Sequence, residues 1–522
     1  MKACILAAGQ GSRMGRYGDH FHKALLPLRN QAILSHIFAR FPHGTHFVIA
    51  LGHRGEDLVS YVRMAHPDLE VTWVWVERYT GPGSGPGQSL FECRHHLQEP
   101  FFFIACDTLI QQPLPENAEN WLGVMPVADP EKWCTVALDA HGRVTALHYK
   151  KAEGGSLAFT GIARVEDYGP FWAGLEEDAR LEGDEKQVNS GLARLATRGL
   201  KSHALTWKDA GTLANYEALL DEERDNYTFK GKITDATYHV GERVIKFFPD
   251  ADGARSRFHR GAANPESFAR TLALEGRFFS YRYVEGEMLS SRLNRENCRR
   301  FLDWAEAGFW RRASVPPEAF QQEMVRFYRD KSLSRLRSFC RLYLPDGVER
   351  PERINELPCA PAEELVAGLA PGFYARGLPS TFHGDLHADN IVCTPEGFRL
   401  IDWRDAFGLL ADVGDRYYDL AKFLHVLELS VETMNAGSYA ITRDARGLHL
   451  DHAMTFGQLE AQECFWEHVR RHGYDPERIR ITDALIFINM SPLYDAAMGR
   501  YLYFIGRYLL QRAALRGTPH FS

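Results

Sequence analysis

The sequence predicts an α/β protein in two parts. Residues 1–222 read as a doubly wound, mainly parallel sheet, and residues 223–522 as a strand-rich start followed mostly by helices. Three observations carry this. Short apolar runs alternate with helical spacing through the first part, the βαβ rhythm of a parallel sheet. Strand patterning resumes at 236–240 and 244–248 and again at 279–289, a strand and hinge, then gives way to helical spacing until a hairpin pattern near residue 391. Finally, 522 residues exceed what one ordinary core supports.

Residues 2–7 are an apolar run leading into Ala7-Ala8-Gly9-Gln10-Gly11-Ser12-Arg13-Met14. A strand entering a Gly-rich turn lets backbone N–H groups approach a phosphate chain, and Arg13, with Lys23 ten residues on, adds positive charge. The turn lacks the closing Gly-Lys-Ser/Thr of a P-loop. Residues 47–51 and 71–76 read as strands, with helical spacing at 56–64. The segment TGPGSGPGQSL (80–90) has a linker's composition but is framed by a strand and an amphipathic helix at 89–97. Residues 101–105 (FFFIA) form a fully apolar strand that delivers Asp107 at its C-terminal end, where a magnesium ligand or a helix N-cap belongs. Stretches 133–138, 142–148 and 159–165 read as further strands, with Lys150 and Lys151 on the loop before the last of these. Asp209, in Trp207-Lys208-Asp209-Ala210-Gly211-Thr212, is a second carboxylate about a hundred residues beyond the first. A helix at 213–223 ends in a charged run with no Pro/Gly/Ser-rich spacer, which places the domain boundary near 222 and predicts a stiff joint.

The second part opens with an alternating strand that contains Lys246, set either to grip phosphates or to face solvent. Residues 290–380 are mostly helical, and Tyr328, Lys331, Arg335 and Arg337 on one such helix read as a solvated face. The most informative stretch is HGDLHADNIVCTPEGFRLIDW, from His383 to Trp403. Ile391, Val392, the turn 394–397, Phe398, Leu400 and Ile401 form a hairpin pattern, which returns Asp402 to the neighbourhood of Asn390, with Asp385 on the adjoining loop. Phosphoryl transfer from ATP needs one carboxylate to orient the attacking hydroxyl and an Asn and an Asp to hold Mg²⁺. All three are present here. The C-terminal aromatics at helical spacing read mainly as core.

Bulk properties exclude several classes. The net charge of −7 divides into −5 for residues 1–221 (21 basic, 26 acidic) and −2 for the rest (40 basic, 42 acidic), so neither part is a basic nucleic-acid binder. The nine cysteines are scattered without C-x-x-C pairs, which argues against structural zinc and a disulfide framework. The first apolar run is too short for a signal peptide, and the aromatic stretch 484–510 is broken by Asp495, Arg500 and Arg507. A cytoplasmic location without membrane insertion is expected, and a homo-oligomer is compatible with the sequence.

His383-Gly384-Asp385-Leu386-His387 to Asn390, then Ile401-Asp402-Trp403, resemble the catalytic and metal-binding loops of the choline kinase and aminoglycoside phosphotransferase superfamily, over roughly 226 to the C-terminus. That resemblance implies a bilobal, protein-kinase-like fold with ATP as donor, Asp385 as catalytic base, Asn390 and Asp402 as Mg²⁺ ligands, and Lys246 on the phosphates. Gly261 stands about where a glutamate partner of Lys246 is expected, leaving Glu266 or Glu275 as candidates. Asp415, in a stretch similar to the family's G-D-x-x-x-D-L-A, would border the acceptor or cap the next helix. Leu6-Ala7-Ala8-Gly9-x-Gly11-x-Arg13-Met14, the Lys23 segment and the Trp207–Thr212 motif resemble nucleotidyltransferases that activate sugar phosphates or phosphocholine. This implies nucleotide contacts from Leu6, Ala7, Ala8, Gly9 and Gly11, and from Gly85 and Gln88 at the base. Arg13 and Lys23 would be catalytic, Asp107 and Asp209 Mg²⁺ ligands, and Lys150, Lys151 and Gly161 acceptor contacts. Sugar-specific members commonly carry Glu-Lys-Pro where this chain has Lys150-Lys151-Ala152.

Together the two parts resemble a phosphocholine cytidylyltransferase fused to a choline kinase of bacterial surface-polysaccharide pathways. The expectation is ATP-dependent phosphorylation of a small alcohol (choline, ethanolamine, a polyol or a sugar). NMP transfer follows, from CTP first and UTP or dTTP second. The alternatives are a sugar kinase fused to a UDP- or dTDP-sugar pyrophosphorylase, an antibiotic phosphotransferase with an inactive appendage, and a nucleotide-binding regulator without turnover.

Overall fold

The computed structural model describes residues 1–149, 155–177, 185–222, 235–516 and 519–521; Lys150 and Lys151 therefore lie outside the described residues. By compactness, residues 1–222 with 235–251 and 273–280 form one unit, and 252–272 with 281–521 the other.

In the first unit a central sheet has the order Val71–Trp75, His46–Leu51, Lys2–Ala7, Phe101–Ala105, Leu157–Val165, Cys134–Leu138, Val144–Tyr149. The first four strands are mutually parallel; Leu157–Val165 runs antiparallel to Phe101–Ala105. This is the expected mainly parallel, doubly wound α/β architecture. Strand alternation explains the two buried layers. Ala3, Ile5 and Ala7 face the core shared with Leu58, Tyr61 and Val62 of helix Gly55–Ala65. Cys4, Leu6 and Ala8 face the opposite core with Leu90, Phe171 and Leu192. Within the same unit, strands Ala236–Val240 and Arg243–Phe247 close the first core: Tyr238 packs on Tyr61 at 4.9 Å between ring centroids, and Phe247 on Phe21 at 4.8 Å. The buried Tyr238 hydroxyl donates to the Leu25 carbonyl at 2.5 Å, and Arg277 pairs with Asp57.

The second unit is mainly helical, from Arg295–Trp304 through Lys331–Tyr343 and Arg416–Glu428 to Ala496–Leu515. The hairpin falls where the alternation predicts, Ile391–Thr394 against Gly397–Leu400 with Ile391 opposite Leu400, and Glu287–Met288 adds a third strand. Two π-helical turns, Ala305–Phe309 and Val325–Asp330, interrupt the helices. None of the nine cysteines, all among the described residues, is in a disulfide. Among the described residues no helix is long and apolar enough to cross a membrane.

Candidate active sites

The first site lies at the carboxyl ends of the parallel strands, where open α/β sheets bind ligands. Leu6 is in register with Ala105, so the loops that begin at Ala8 and Cys106 leave the sheet side by side. Gly11 takes a left-handed conformation (φ 66°) and starts a helical turn, Ser12–Tyr17, that carries exposed Arg13. Opposite it, buried His22 bonds the Ala7 carbonyl at 2.9 Å through Nε2 and accepts the Ala24 N–H on Nδ1 at 3.1 Å, which presents Lys23 to the loop. Burial and the neighbouring Lys23 charge hold His22 down at about 3, so it is neutral.

Lys23 Nζ meets Asp107 Oδ2 at 2.7 Å. Sequence spacing could not bring Asp209 to Asp107. The structure does so with a short antiparallel ribbon, Thr108–Ile110 against Trp207–Asp209, in which Asp209 is opposite Thr108. Ala210 N–H closes the ribbon on the Asp107 carbonyl at 3.0 Å. Both carboxylates then crowd Gly211, where a Cβ would stand 2.7 Å from Asp107 Oδ2 and 3.1 Å from Asp209 Oδ1. Burial alone would raise the pKa of Asp107, but Lys23 and Arg13 hold it below the usual carboxylate value. Asp209 is pushed up, first by burial and then by the Asp107 charge, although Asn215 donates to it at 2.6 Å. Two convergent carboxylates, one resisting ionisation because of the other, fit a divalent cation. Among the described residues no group of three or more His, Cys, Asp or Glu converges.

The glycine-rich segment is pinned. Residue 186 crosses it, donating its N–H to the Ser84 carbonyl at 2.7 Å and accepting the Gly87 N–H at 2.8 Å. Gly85 (φ 125°) has no room for a side chain, since a Cβ would lie 2.8 Å from the Lys186 carbonyl. Gln88 donates its side-chain amide to Glu92 at 2.9 Å, one helical turn on. Gly161 (φ 83°) packs against the Thr108 hydroxyl, which donates to the Thr160 carbonyl at 3.0 Å, so it sits one residue from the carboxylate ribbon.

The second site is the His383–Asn390 loop and its hairpin. Asn390 and Asp402 come together as the pattern required, because Ile401 N–H donates to the Asn390 carbonyl at 3.0 Å. Asp402 is left-handed (φ 58°), an unusual conformation for a residue with a side chain, and accepts from Tyr281 at 3.3 Å. Asn390 donates to the Asp385 carbonyl at 2.9 Å. His383 is buried and held down to about 4 by burial; its Nε2–H bonds the Ile401 carbonyl and its Nδ1 accepts the Asp385 N–H at 3.1 Å. Asp419 beneath the loop accepts the N–H groups of His383 (2.7 Å) and Gly384 (2.8 Å) and the Trp310 indole N–H (3.2 Å). Burial nevertheless raises it to about 6. These contacts fix the backbone and present the Asp385 carboxylate, which pairs with buried Lys422 at 2.8 Å.

Other expectations fare differently. Asp415 is fully buried, caps helix Arg416–Glu428 through the Tyr417 N–H, accepts from Tyr328 at 2.9 Å and faces Arg478 at 3.4 Å, so capping describes its geometry. The solvated-face reading of 328–335 is corrected: Tyr328 is buried and Lys331 Nζ sits 4.3 Å from the Phe327 ring centre, because residues at i, i+3 and i+7 share the face that packs inward; Arg337, paired with Glu363, is exposed. Gly261 is dictated by packing, since a Cβ would be 2.5 Å from Trp403 Cζ2. Glu266 pairs with Arg311 and, in the first unit, Glu275 pairs with Arg63. Lys246 is nearly buried in its strand, opposite Thr237. Sequence reasoning missed Lys422, one helical turn after Asp419, and Arg260, whose guanidinium donates to the Arg404 and Phe382 carbonyls and ties the loop to its helix. The i, i+3 spacing of Asp419 and Lys422 was the available signal.

Comparison with known proteins finds a separate match for each part. Residues 3–149 match the family model of the MobA-like NTP transferase domain, and residues 237–447 that of the phosphotransferase enzyme family. A "Bifunctional protein GlmU" of Methanocaldococcus jannaschii is 24% identical over 47% of this chain and 60% of its own length, and one of Methanococcus maripaludis 23% identical over 40% and 51%. The chain thus spans between about half and three fifths of these relatives. A "Bifunctional IPC transferase and DIPP synthase" of Archaeoglobus fulgidus is 26% identical over 25% of each chain. Among solved structures, an inositol-1-phosphate CTP transferase from T. maritima is 16% identical with a TM-score of 0.35, covering 44% of this chain and 98% of its own.

Proposed function

From a chain that carries a MobA-like NTP transferase domain followed by a phosphotransferase-family domain, we propose two consecutive reactions on one small molecule. The C-terminal domain, 223–522, phosphorylates an alcohol X–OH from ATP; the N-terminal domain, 1–222, joins X–O–phosphate to an NMP and releases pyrophosphate. The observation that carries this is the presence in one chain of two carboxylate sites, Lys23–Asp107–Asp209 and Asp385–Asn390–Asp402.

In the kinase step the Asp385 carboxylate accepts the hydrogen bond of the acceptor hydroxyl and takes its proton as the oxygen attacks the γ-phosphorus; ADP leaves. Lys422 orients that carboxylate, and Lys246 is assigned to the ATP phosphates. In the second step a phosphate oxygen of X–O–phosphate attacks the α-phosphorus of the NTP. Lys23 and Arg13 offset the charge that builds on the α-phosphate and the leaving pyrophosphate. Bound Mg²⁺ would supply further neutralisation, held by Asp107 and Asp209 in the first domain and by Asn390 and Asp402 in the second; these oxygen-donor pairs suit a hard cation completed by phosphate oxygens. CTP is the first choice of NTP, from the cytidylyltransferase resemblance. The assignments of Gly85 and Gln88 to the base, and of Gly161 and Lys150 or Lys151 to the acceptor phosphate, belong to the same proposal.

The test is ³¹P NMR of the purified chain with Mg²⁺, ATP, CTP and a panel of alcohols. The proposal expects a pyrophosphate diester only when both nucleotides and one acceptor are present. A phosphomonoester that goes no further with CTP, UTP or dTTP would remove the second step; no change with any alcohol or ready-made X-phosphate would remove both.

A further inference from the structure

Around Asp385 the second unit gathers more positive charge than the carboxylate needs. Lys422 already pairs with it at 2.8 Å. Lys331 and Arg404 both lie against the Phe327 ring, with Lys331 Nζ at 4.3 Å and the Arg404 guanidinium carbon at 5.2 Å from its centre. Arg404 also lies against the residue preceding Asp385: a Cβ on Gly384 would stand 2.6 Å from Arg404 Cβ. Arg335 is one helical turn beyond Lys331, on the same face of helix Lys331–Tyr343. Among the described residues no carboxylate lies within ion-pair distance of Lys331, Arg335 or Arg404. Asp483 and Glu428 have pKa values raised first by burial. Burial, then Arg404, Arg335 and Lys422, pull Lys331 well below its ordinary value, with only Asp385 opposing. Burial and Arg404 lower Arg335 likewise. A partly buried cluster of like charges is costly unless an anion completes it.

We propose that Lys331, Arg335 and Arg404 form an anion subsite for the acceptor, so that the alcohol activated by Asp385 carries a carboxylate or phosphate group. The inference rests on the kinase reading above and narrows it: acceptors with an ammonium group, such as choline and ethanolamine, meet repulsion here. Both cations are anchored against the Phe327 ring, beside the carboxylate that meets the acceptor hydroxyl, which suits an anion carried on a polyol or sugar.

The test offers the full chain, with Mg²⁺ and ATP, acceptors that share a skeleton and differ in charge: glycerol, glycerate and glycerol phosphate; glucose, glucosamine, glucuronate and glucose 6-phosphate; choline and ethanolamine. ADP formation is followed. The expected result is a kcat/KM at least ten times higher for an anionic member than for its neutral counterpart, and the carboxylate and phosphate arms show which anion is held. Lys331→Met and Arg335→Met each reduce that preference about tenfold through the acceptor KM, with unchanged thermal unfolding as the check on folding. A neutral or ammonium acceptor preferred by the same factor would overturn the inference while leaving the kinase reading intact. So would a rise in the KM for ATP instead of the acceptor. Turnover of no acceptor, with acceptor-free ATP hydrolysis unaffected by Asp385→Asn, would remove the kinase reading and this inference with it.

Discussion

Gly211→Ala isolates the first site with one methyl group. The new Cβ would lie 2.7 Å from Asp107 Oδ2 and 3.1 Å from Asp209 Oδ1, whereas comfortable contact needs about 3.5 Å. Asp107 must retreat by roughly 0.8 Å and Asp209 by roughly 0.4 Å to restore that spacing. Metal–ligand distances tolerate about 0.2 Å, and a misplacement of about 1 Å costs on the order of a hundredfold in rate. Asp107 cannot swing freely, because Lys23 holds the same oxygen at 2.7 Å. The expected loss in nucleotidyl transfer is therefore roughly thirty- to a hundredfold. Stability should change by no more than about 1 kcal/mol, since Gly211 is not in a positive-φ conformation and alanine restricts the unfolded chain. Pyrophosphate release from the NTP and X-phosphate measures the loss; ADP formation on the same preparation is the control. Retention of more than about a third of the activity, or equal loss of both reactions, would refute the reasoning that these carboxylates share a ligand near Gly211.

Asp385→Asn should lower ADP formation by roughly 10²- to 10⁴-fold while leaving nucleotidyl transfer to supplied X-phosphate at its original rate. Lys23→Met strands a nearly buried Asp107 carboxylate and should cost about 3–5 kcal/mol in urea unfolding at neutral pH; acid should relieve part of that cost by protonating Asp107. For pH dependence, Asp419 is raised to about 6. Between its unfolded value near 4 and about 6 the folded state therefore binds the extra proton, and its contribution to stability falls as pH rises through that window. His383, lowered to about 4, acts with the opposite sign: below about 6.5 the unfolded chain takes up the proton first, so its contribution falls as pH drops. The two oppose each other in stability, so the change is expected in kinase kcat, which should fall below about pH 6 as Asp419 loses the charge that accepts three N–H groups. A pH–rate profile in which Asp419→Asn keeps the same break would sink this assignment.

What the sequence made legible was periodic or local. The apolar runs at 2–7, 47–51 and 101–105 are buried strands because two-sided parallel sheets need continuous apolar residues, whereas Val71–Trp75, at the sheet edge, is a strand that is only partly buried. The hairpin around Thr394–Gly397 was legible because alternation and turn composition agree. Asp385, Asn390 and Asp402 are joined by that one local element, so their proximity followed from spacing. Asp107 and Asp209 meet through a ribbon between strands about a hundred residues apart, and no local pattern reports such a pairing. Lys331 was misread because cations at helical spacing look like a solvated face whether or not other elements pack against it. Gly261 looked like a missing glutamate; it is the space that Trp403 requires.

The two sites share one electrostatic arrangement despite their different folds. In each, a carboxylate assigned to chemistry is paired with a buried lysine, Lys23 with Asp107 at 2.7 Å and Lys422 with Asp385 at 2.8 Å. Burial opposes the charge of both lysines, yet in each case the carboxylate outweighs it and the pKa is raised. A carboxylate that already holds a proton cannot act as a base, so an ion pair that favours the charged form preserves that role. Each paired lysine favours the charged form of its carboxylate before any substrate arrives. They also define what a substrate must do: a phosphate that draws Lys23 towards itself releases Asp107 to bind a cation, whereas Lys422, enclosed by its helix, stays with Asp385 and aims it. On this argument Lys23 acts by moving between partners and Lys422 by holding still. Lys23→Arg, which keeps the charge but not the reach, should then fail in the first site more severely than Lys422→Arg fails in the second.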